Sequence, residues 1–96
     1  MDDMFTQFID CNFYDILMEK RIPVATLNKN EKFNIFVEKV VKWLVKHHRH
    51  FYEKEVKHPF ITGGLREDKL EKLKKYYYKN KIVIDEAIDY YDLIKD

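Results

Sequence analysis

Hydrophobic residues recur at spacings of three and four over the first twenty positions of the chain. This spacing places them on one face of a helix, which we predict from about residue 3 to residue 20. The residues concerned are Met4, Phe5, Phe8, Ile9, Phe13, Ile16 and Leu17. Pro23 restricts the preceding Ile22 to extended backbone, so we expect the helix to end there and a connection to follow over residues 22–27.

No glycine or proline interrupts the chain between Lys29 and His58. Asn28, with Glu31 three positions later, is typical of the start of a helix. We therefore predict one long helix over residues 29–57. Its hydrophobic face would form the centre of the core and consists of Phe33, Val37, Val40, Leu44 and Phe51.

Both glycines and the second proline fall between residues 58 and 64, which predicts a turn. We expect Phe60 and Ile61, within this turn, to tuck into the core. A third helix is predicted from about residue 65 to residue 79, with Leu70, Leu73 and Tyr77 facing inward and Asn80 at its end.

The three residues after Lys81 form a β-branched run, Ile82, Val83 and Ile84, where a short strand would be possible. No second strand is visible to pair with it, so we interpret the run as a buried connection. Asp85 is then expected to cap a last helix that ends near residue 94.

Length and composition agree with a helical domain. Ninety-six residues are close to the usual size of one domain, and a hydrophobic share of 46% is ample for a packed core. The sequence therefore predicts an all-α fold in which a small bundle of three to four helices surrounds one long central helix, about residues 29–57. A single helical domain would span residues 1–96.

Several features bear on the location of the protein. Asp2, Asp3 and Asp10 stand where a signal peptide would carry basic residues, and no apolar run is long enough to cross a membrane. Cys11 is the only cysteine, which suits a reducing compartment. We expect a cytoplasmic protein with no membrane partner. Abundant Lys, Asn, Ile, Tyr and Phe favour a viral, phage or microbial source with an AT-rich genome.

The formal net charge is only +1, but it is unevenly distributed. Residues 1–38 hold seven acidic and four basic residues, residues 39–81 hold five and thirteen, and residues 82–96 hold five and one. One interpretation is that the acidic ends neutralise the middle when the helices pack. The alternative is a nucleic-acid-binding protein that uses the basic segment 39–81. Its candidate contacts are Lys39, Lys42, Lys46, Arg49 and His50.

Aromatic residues supply the leading prediction of function. Three consecutive tyrosines span about 200° of a helix, so they cannot all face one core. Tyrosine beside basic residues is typical of hot spots for protein partners. We therefore predict a small protein–protein interaction module, acting as a regulator, an inhibitor or a subunit of a larger assembly, whose partner is another protein or a second copy in a homodimer. The candidate partner-binding residues are Tyr76, Tyr77, Tyr78, Lys75, Lys79 and Trp43.

Histidines offer the other candidate chemistry. His47 and His50 lie one helical turn apart, with Glu53 another turn along, but zinc and di-iron sites need three or four convergent ligands and no other segment supplies them. Cys11 lacks a recognisable catalytic neighbour, and the glycine pair 63–64 lacks the Lys-Ser/Thr that follows in a phosphate-binding loop. We expect no metal site, no cofactor, no small-molecule substrate and no enzymatic activity.

Overall fold

The computed structural model describes residues 3–26, 28–61 and 63–94, except for the side chains of residues 93 and 94. The described residues contain no β-strand, only isolated backbone bridges that join Ala25 to Gly64 and Lys57 to Leu65. The all-α prediction is confirmed. The helices are α1 (Met4–Cys11), α2 (Phe13–Leu17), α3 (Glu31–His47), α4 (Arg49–Phe51), a π-helical turn (Tyr52–Val56), α5 (Glu67–Lys79), α6 (Lys81–Ile88) and a C-terminal π-helical segment (Asp89–Ile94).

The first predicted helix is two helices with a break at Asn12. Asp3 caps α1, because its Oδ1 accepts the N–H of Thr6 at 2.8 Å. At the break, the side-chain amide of Asn12 donates to the carbonyl oxygen of Phe8 at 2.9 Å. Asparagine competes with the backbone for such hydrogen bonds, which is why α1 stops there. The prediction of one continuous helix is wrong. Of the positions that it directed inward, Phe5, Ile9, Ile16 and Leu17 are buried, whereas Met4 is 58% exposed.

The long predicted helix, residues 29–57, is also interrupted. It begins after Asn30 rather than Asn28, and Asn30 Oδ1 accepts the N–H three residues later at 3.2 Å. α3 ends at His47, and the capping residue His48 has a φ of −141° and a ψ of 52°. The His48 ring stacks on that of Phe8 in α1, with ring centroids 4.3 Å apart. This tertiary contact offsets the local preference for a continuous helix.

α3 forms the centre of the core, as predicted. Its face of Phe33, Val37, Val40 and Leu44 is buried, and Phe51 beyond the break packs against it at the edge. The neighbouring helices cover α3 with Phe5, Ile9, Ile16, Leu17, Leu73, Tyr77, Ile84 and Ile88.

None of the described helices combines the length and the apolar character that crossing a bilayer requires.

The turn before α5 directs two hydrophobic side chains outward. Phe60 is 90% exposed and Ile61 is 51% exposed, so the prediction that they tuck into the core is wrong. The reason lies in His58, whose Nδ1 accepts the N–H of Phe60 at 3.0 Å and of Ile61 at 3.1 Å. Gly63 closes the turn with a φ of 76°, a backbone conformation that residues other than glycine rarely adopt.

The β-branched run after Lys81 is the first turn of α6 rather than a buried connection. Ile84 is fully buried, whereas Ile82 is 76% exposed and Val83 is also exposed. A helix turns by about 100° per residue, so three consecutive side chains cannot all enter the core. The last helix therefore begins at Lys81 instead of Asp85, and it places two apolar side chains at the surface.

Candidate protein interaction surface

The three consecutive tyrosines of α5 have three different environments. Tyr77 is fully buried, and its hydroxyl donates to Asp85. Burial, with this hydrogen bond, raises the pKa of Tyr77. Tyr76 is half-buried and its hydroxyl donates to Asp10 Oδ1 at 2.9 Å, while Tyr78 is exposed. Of the three predicted partner-binding tyrosines, Tyr77 is corrected to a core residue, because the inward face of α5 passes through it.

The other predicted partner-binding residues lie in different parts of the structure, some in the core and some at the surface. Trp43 is only 4% exposed, and its ring lies 6.2 Å from that of Phe8 and 5.2 Å from that of His47. It is a core residue, because α1 covers that side of α3, so its assignment to a partner surface is corrected. Lys75 and Lys79 are exposed on α5. They do not share a surface with Trp43.

Lys39, the first candidate contact to nucleic acid, is buried. It is 1% exposed, its Nζ lies 2.9 Å from Asp92 Oδ2, and it donates to the carbonyl oxygen of Glu19 at 2.8 Å. A second ion pair joins Lys32 of α3 to Asp89 at 3.0 Å. Lys39 cannot reach a phosphate from this position, and it is withdrawn as a candidate contact. The acidic C-terminal segment thus lies against the basic side of α3.

The remaining basic candidates lie nearer the surface. Lys46 is 3.7 Å from Glu19 Oε2, and Lys42 is half-buried. Arg49 and His50 are exposed on the short helix α4. The structure therefore leaves a reduced basic surface at the end of α3 in place of a continuous stripe.

The histidines and the cysteine lie in separate environments. The His47 ring packs beside Trp43, with centroids 5.2 Å apart. Among the described residues, no group of three or more His, Cys, Asp or Glu side chains is placed to hold a metal ion. Cys11 is a free, exposed cysteine at the end of α1.

A groove between α2 and α6 forms a concave surface with apolar side chains on both sides. One part of it has a volume of about 390 Å³. This part adjoins, at Tyr14 and Val83, a larger cleft of about 590 Å³ beside the Asn12 break. We call these together the α2–α6 groove, which is lined by Asp10, Cys11, Asn12, Phe13, Tyr14, Asp15, Leu17, Met18, Tyr76, Asn80, Val83, Glu86, Ala87, Tyr90 and Tyr91.

The groove exposes large apolar side chains from both of its walls. Tyr14 of α2 is 72% exposed, and Met18, directly after α2, is 56% exposed. On the opposite wall, Val83 is 46% exposed and Tyr90 is 55% exposed. Ile82, beside Val83, extends the apolar surface into the adjacent concavity at the start of α6.

The charged residues of the α2–α6 groove are all acidic. Asp10, Asp15 and Glu86 line it, and none of the fifteen lining residues is lysine, arginine or histidine. Asp10 accepts the hydroxyl hydrogen of Tyr76; burial of that tyrosine, together with this hydrogen bond, raises its pKa. Within the described residues, Asp15 and Glu86 have no ion-pair partner. Asp15 and Glu86 therefore carry negative charge that no ion pair among the described side chains neutralises.

Sequence reasoning missed this groove because it treated residues 82–84 as a connection. The signal that identifies it is the helical spacing of exposed apolar positions: Val83, Ala87 and Tyr90 on one wall, Tyr14 and Met18 on the other. These positions form a second apolar face, distinct from the one that enters the core.

No protein-family model, curated protein or solved structure matches this chain. The assignment of a functional surface therefore depends on the geometry and the charge of the described residues.

Proposed function

We propose that this protein is a helical interaction module that binds another protein through the α2–α6 groove. The observation that carries the proposal is the exposure of Tyr14, Met18, Val83 and Tyr90 within one concave surface. Scattered single apolar residues are normal on protein surfaces, but a contiguous apolar patch in a groove is typical of a binding site. Tyrosine and methionine are also enriched where proteins meet.

The free energy available from the groove supports a protein partner. Complete burial of one large apolar side chain stabilises by about 1.5–3 kcal/mol. Four side chains that are 46–72% exposed would therefore contribute about 3–7 kcal/mol in total. Association itself costs about 4 kcal/mol or more, so a stable complex needs apolar residues from the partner as well. A folded or folding protein segment supplies such residues.

The proposed role is that of a regulator, an inhibitor or a subunit of a larger assembly. Such a role needs neither a cofactor nor a catalytic centre, since binding alone changes the activity or the location of the partner. The exposed Tyr78, with Lys75 and Lys79, lies on α5 outside the groove lining, so these three residues are not part of the proposed docking surface.

Nucleic-acid binding is a weaker second candidate. Arg49 and His50 remain exposed, with Lys46 close to them in sequence. Against it, Lys39 is buried and Lys32 is paired with Asp89, so two basic residues of α3 are neutralised internally. Affinity for a DNA or RNA oligonucleotide that falls by about one log unit per log unit of salt for each phosphate contact would support this candidate.

Site-specific photo-cross-linking tests the proposed function. A benzophenone amino acid is placed at Tyr14 in one variant and at Phe60 in another, and each is expressed in the native source. Both positions are highly exposed, but only Tyr14 lines the groove. We expect one discrete protein adduct from position 14, which is then identified and purified for binding measurements with and without Tyr14→Ser.

Phe60 is the matched control, because it presents an aromatic side chain to solvent on a different surface. The same adducts from both positions would indicate non-specific collision. An adduct from position 60 alone would move the docking surface to the turn before α5 and refute the proposal for the groove.

A further inference from the structure

We propose that the occupant of the α2–α6 groove is an amphipathic helix of a partner protein, with basic residues along both edges of its apolar stripe. This inference rests on the proposed function and adds the chemistry of the partner. The first observation is charge. Asp15 on one wall and Glu86 on the other are exposed and have no ion-pair partner among the described residues, and no basic residue lines the groove.

The backbone around the groove determines the conformation of the occupant. Both walls are helical and neither contains a β-strand, so no strand edge is available for a peptide to extend a sheet. An occupant that enters an apolar groove must then satisfy its own backbone hydrogen bonds. A helix does this, and it presents apolar side chains at spacings of three and four.

The dimensions of the longer wall set the length of the occupant. α6 and the C-terminal π-helical segment span residues 81–94, which corresponds to about 20 Å at 1.5 Å per residue. A partner helix of about four turns would match this length. It would place three or four apolar residues between Tyr14 and Met18 on one side and Val83 and Tyr90 on the other.

The acidic rim disfavours a second copy of this chain as the occupant. In a two-fold symmetric dimer the same surface patch faces itself. Asp15 and Glu86 of one copy would then lie opposite those of its partner, and like charges that face each other across an interface oppose association. A partner helix with lysine or arginine at the corresponding edges has the complementary charge.

Two synthetic peptides provide the test. Each is an amphipathic helix of about four turns with the same leucine stripe; one has lysines along both edges and the other has glutamates. Fluorescence anisotropy measures the binding of each to the full chain. We expect the lysine peptide to bind about tenfold more tightly, since two exposed carboxylates each contribute a few-fold. The double variant D15K/E86K should reverse this preference.

Two further variants distinguish the groove from the rest of the surface. Tyr14→Ser with Val83→Ser should weaken binding of both peptides, because it removes apolar contacts from both walls. The control E53K/E55K makes the same change in net charge on the exposed face of the π-helical turn and should leave the preference unchanged. Circular dichroism confirms that each variant is folded.

The outcomes separate this inference from the proposed function. Equal affinity for the two peptides, with both weakened by Y14S/V83S, would refute the basic partner but support groove binding. A failure of both peptides to bind would overturn the helical occupant, while cross-linking at Tyr14 still decides the proposed function. A dimer in sedimentation that Y14S/V83S dissociates would assign the groove to a second copy and also refute the inference.

Discussion

Replacing Lys39 with methionine tests whether an interior ion pair fastens the C-terminal segment to α3. Lys39 is 1% exposed, and its Nζ lies 2.9 Å from Asp92 Oδ2. Asp92 Oδ2 makes no hydrogen bond among the described residues, so the contact with Lys39 is an ion pair without hydrogen-bond alignment. Lys39 also donates to the carbonyl oxygen of Glu19 at 2.8 Å, which links α3 to the end of α2.

The expected change in the free energy of unfolding depends on which charged or polar groups each variant leaves unpaired. Lys39→Met leaves the Asp92 carboxylate in the interior without its counter-ion, which costs about 3–5 kcal/mol. The double variant K39M/D92L replaces the pair with apolar side chains, a change that is often neutral or stabilising by about 1–4 kcal/mol. It still removes the donor to Glu19, at about 1 kcal/mol. The free energy of unfolding of a domain of this size is about 5–15 kcal/mol, so only the single variant should lose a large share of its stability.

Urea unfolding followed by far-ultraviolet circular dichroism measures these free energies for the wild type, both single variants and the double variant. The melting temperature of the single variant K39M should also fall by roughly 12 °C or more, because each kcal/mol of lost stability lowers it by about 4 °C or more. Lys46→Met is the control: its Nζ is 3.7 Å from Glu19 Oε2 and its side chain is 56% exposed, so its effect should stay below about 1 kcal/mol. A coupling energy between Lys39 and Asp92 of less than about 0.5 kcal/mol would refute the reasoning.

Three further predictions concern α6, the turn before α5 and acid stability. Ile84→Ala should destabilise by about 2–5 kcal/mol because its side chain is fully buried, whereas Ile82→Ala should change urea stability by less than about 0.5 kcal/mol; equal effects would contradict the orientation of α6. His58→Ala should speed amide hydrogen exchange at Phe60 and Ile61, whose N–H groups donate to the His58 ring. His58→Asn, which keeps a hydrogen-bond acceptor, should restore the protection of both amides. Burial raises the pKa of Asp85, but hydrogen bonds, chiefly from Lys81, outweigh it and hold the pKa below the ordinary 3.8. The carboxylate therefore contributes stability above pH 3.8 that is lost as the pH falls through the lower folded-state value, and Asp85→Asn should flatten this acid limb in urea titrations.

The inward faces of the helices could be predicted from the sequence because burial imposes a regular spacing. Phe33, Val37, Val40 and Leu44 recur at helical intervals, and all four are buried in α3. The breaks could not be predicted in the same way. Neither asparagine nor histidine excludes a helix, and the break at His48 involves stacking on Phe8, forty positions earlier in the chain.

The candidate site was harder to predict for a related reason. A β-branched run is compatible with a strand, a connection or a helix, and only the packing of Ile84 settles its orientation. Lysine is normally exposed, so the burial of Lys39 was not expected from its type or spacing. It follows from the proximity of Asp92, which lies 53 positions later and which no local pattern connects to α3.

The acidic end of the chain has two separate uses in this fold. Asp89 and Asp92 face α3, where they pair with Lys32 and Lys39. Glu86, one turn before Asp89, instead lines the groove and keeps its charge exposed. The ion pairs therefore fix the position of the segment that carries Tyr90. If this holds, K39M should weaken binding of the lysine-flanked peptide under conditions where the variant is still folded, whereas the K46M control should not, because only the former releases that wall of the groove.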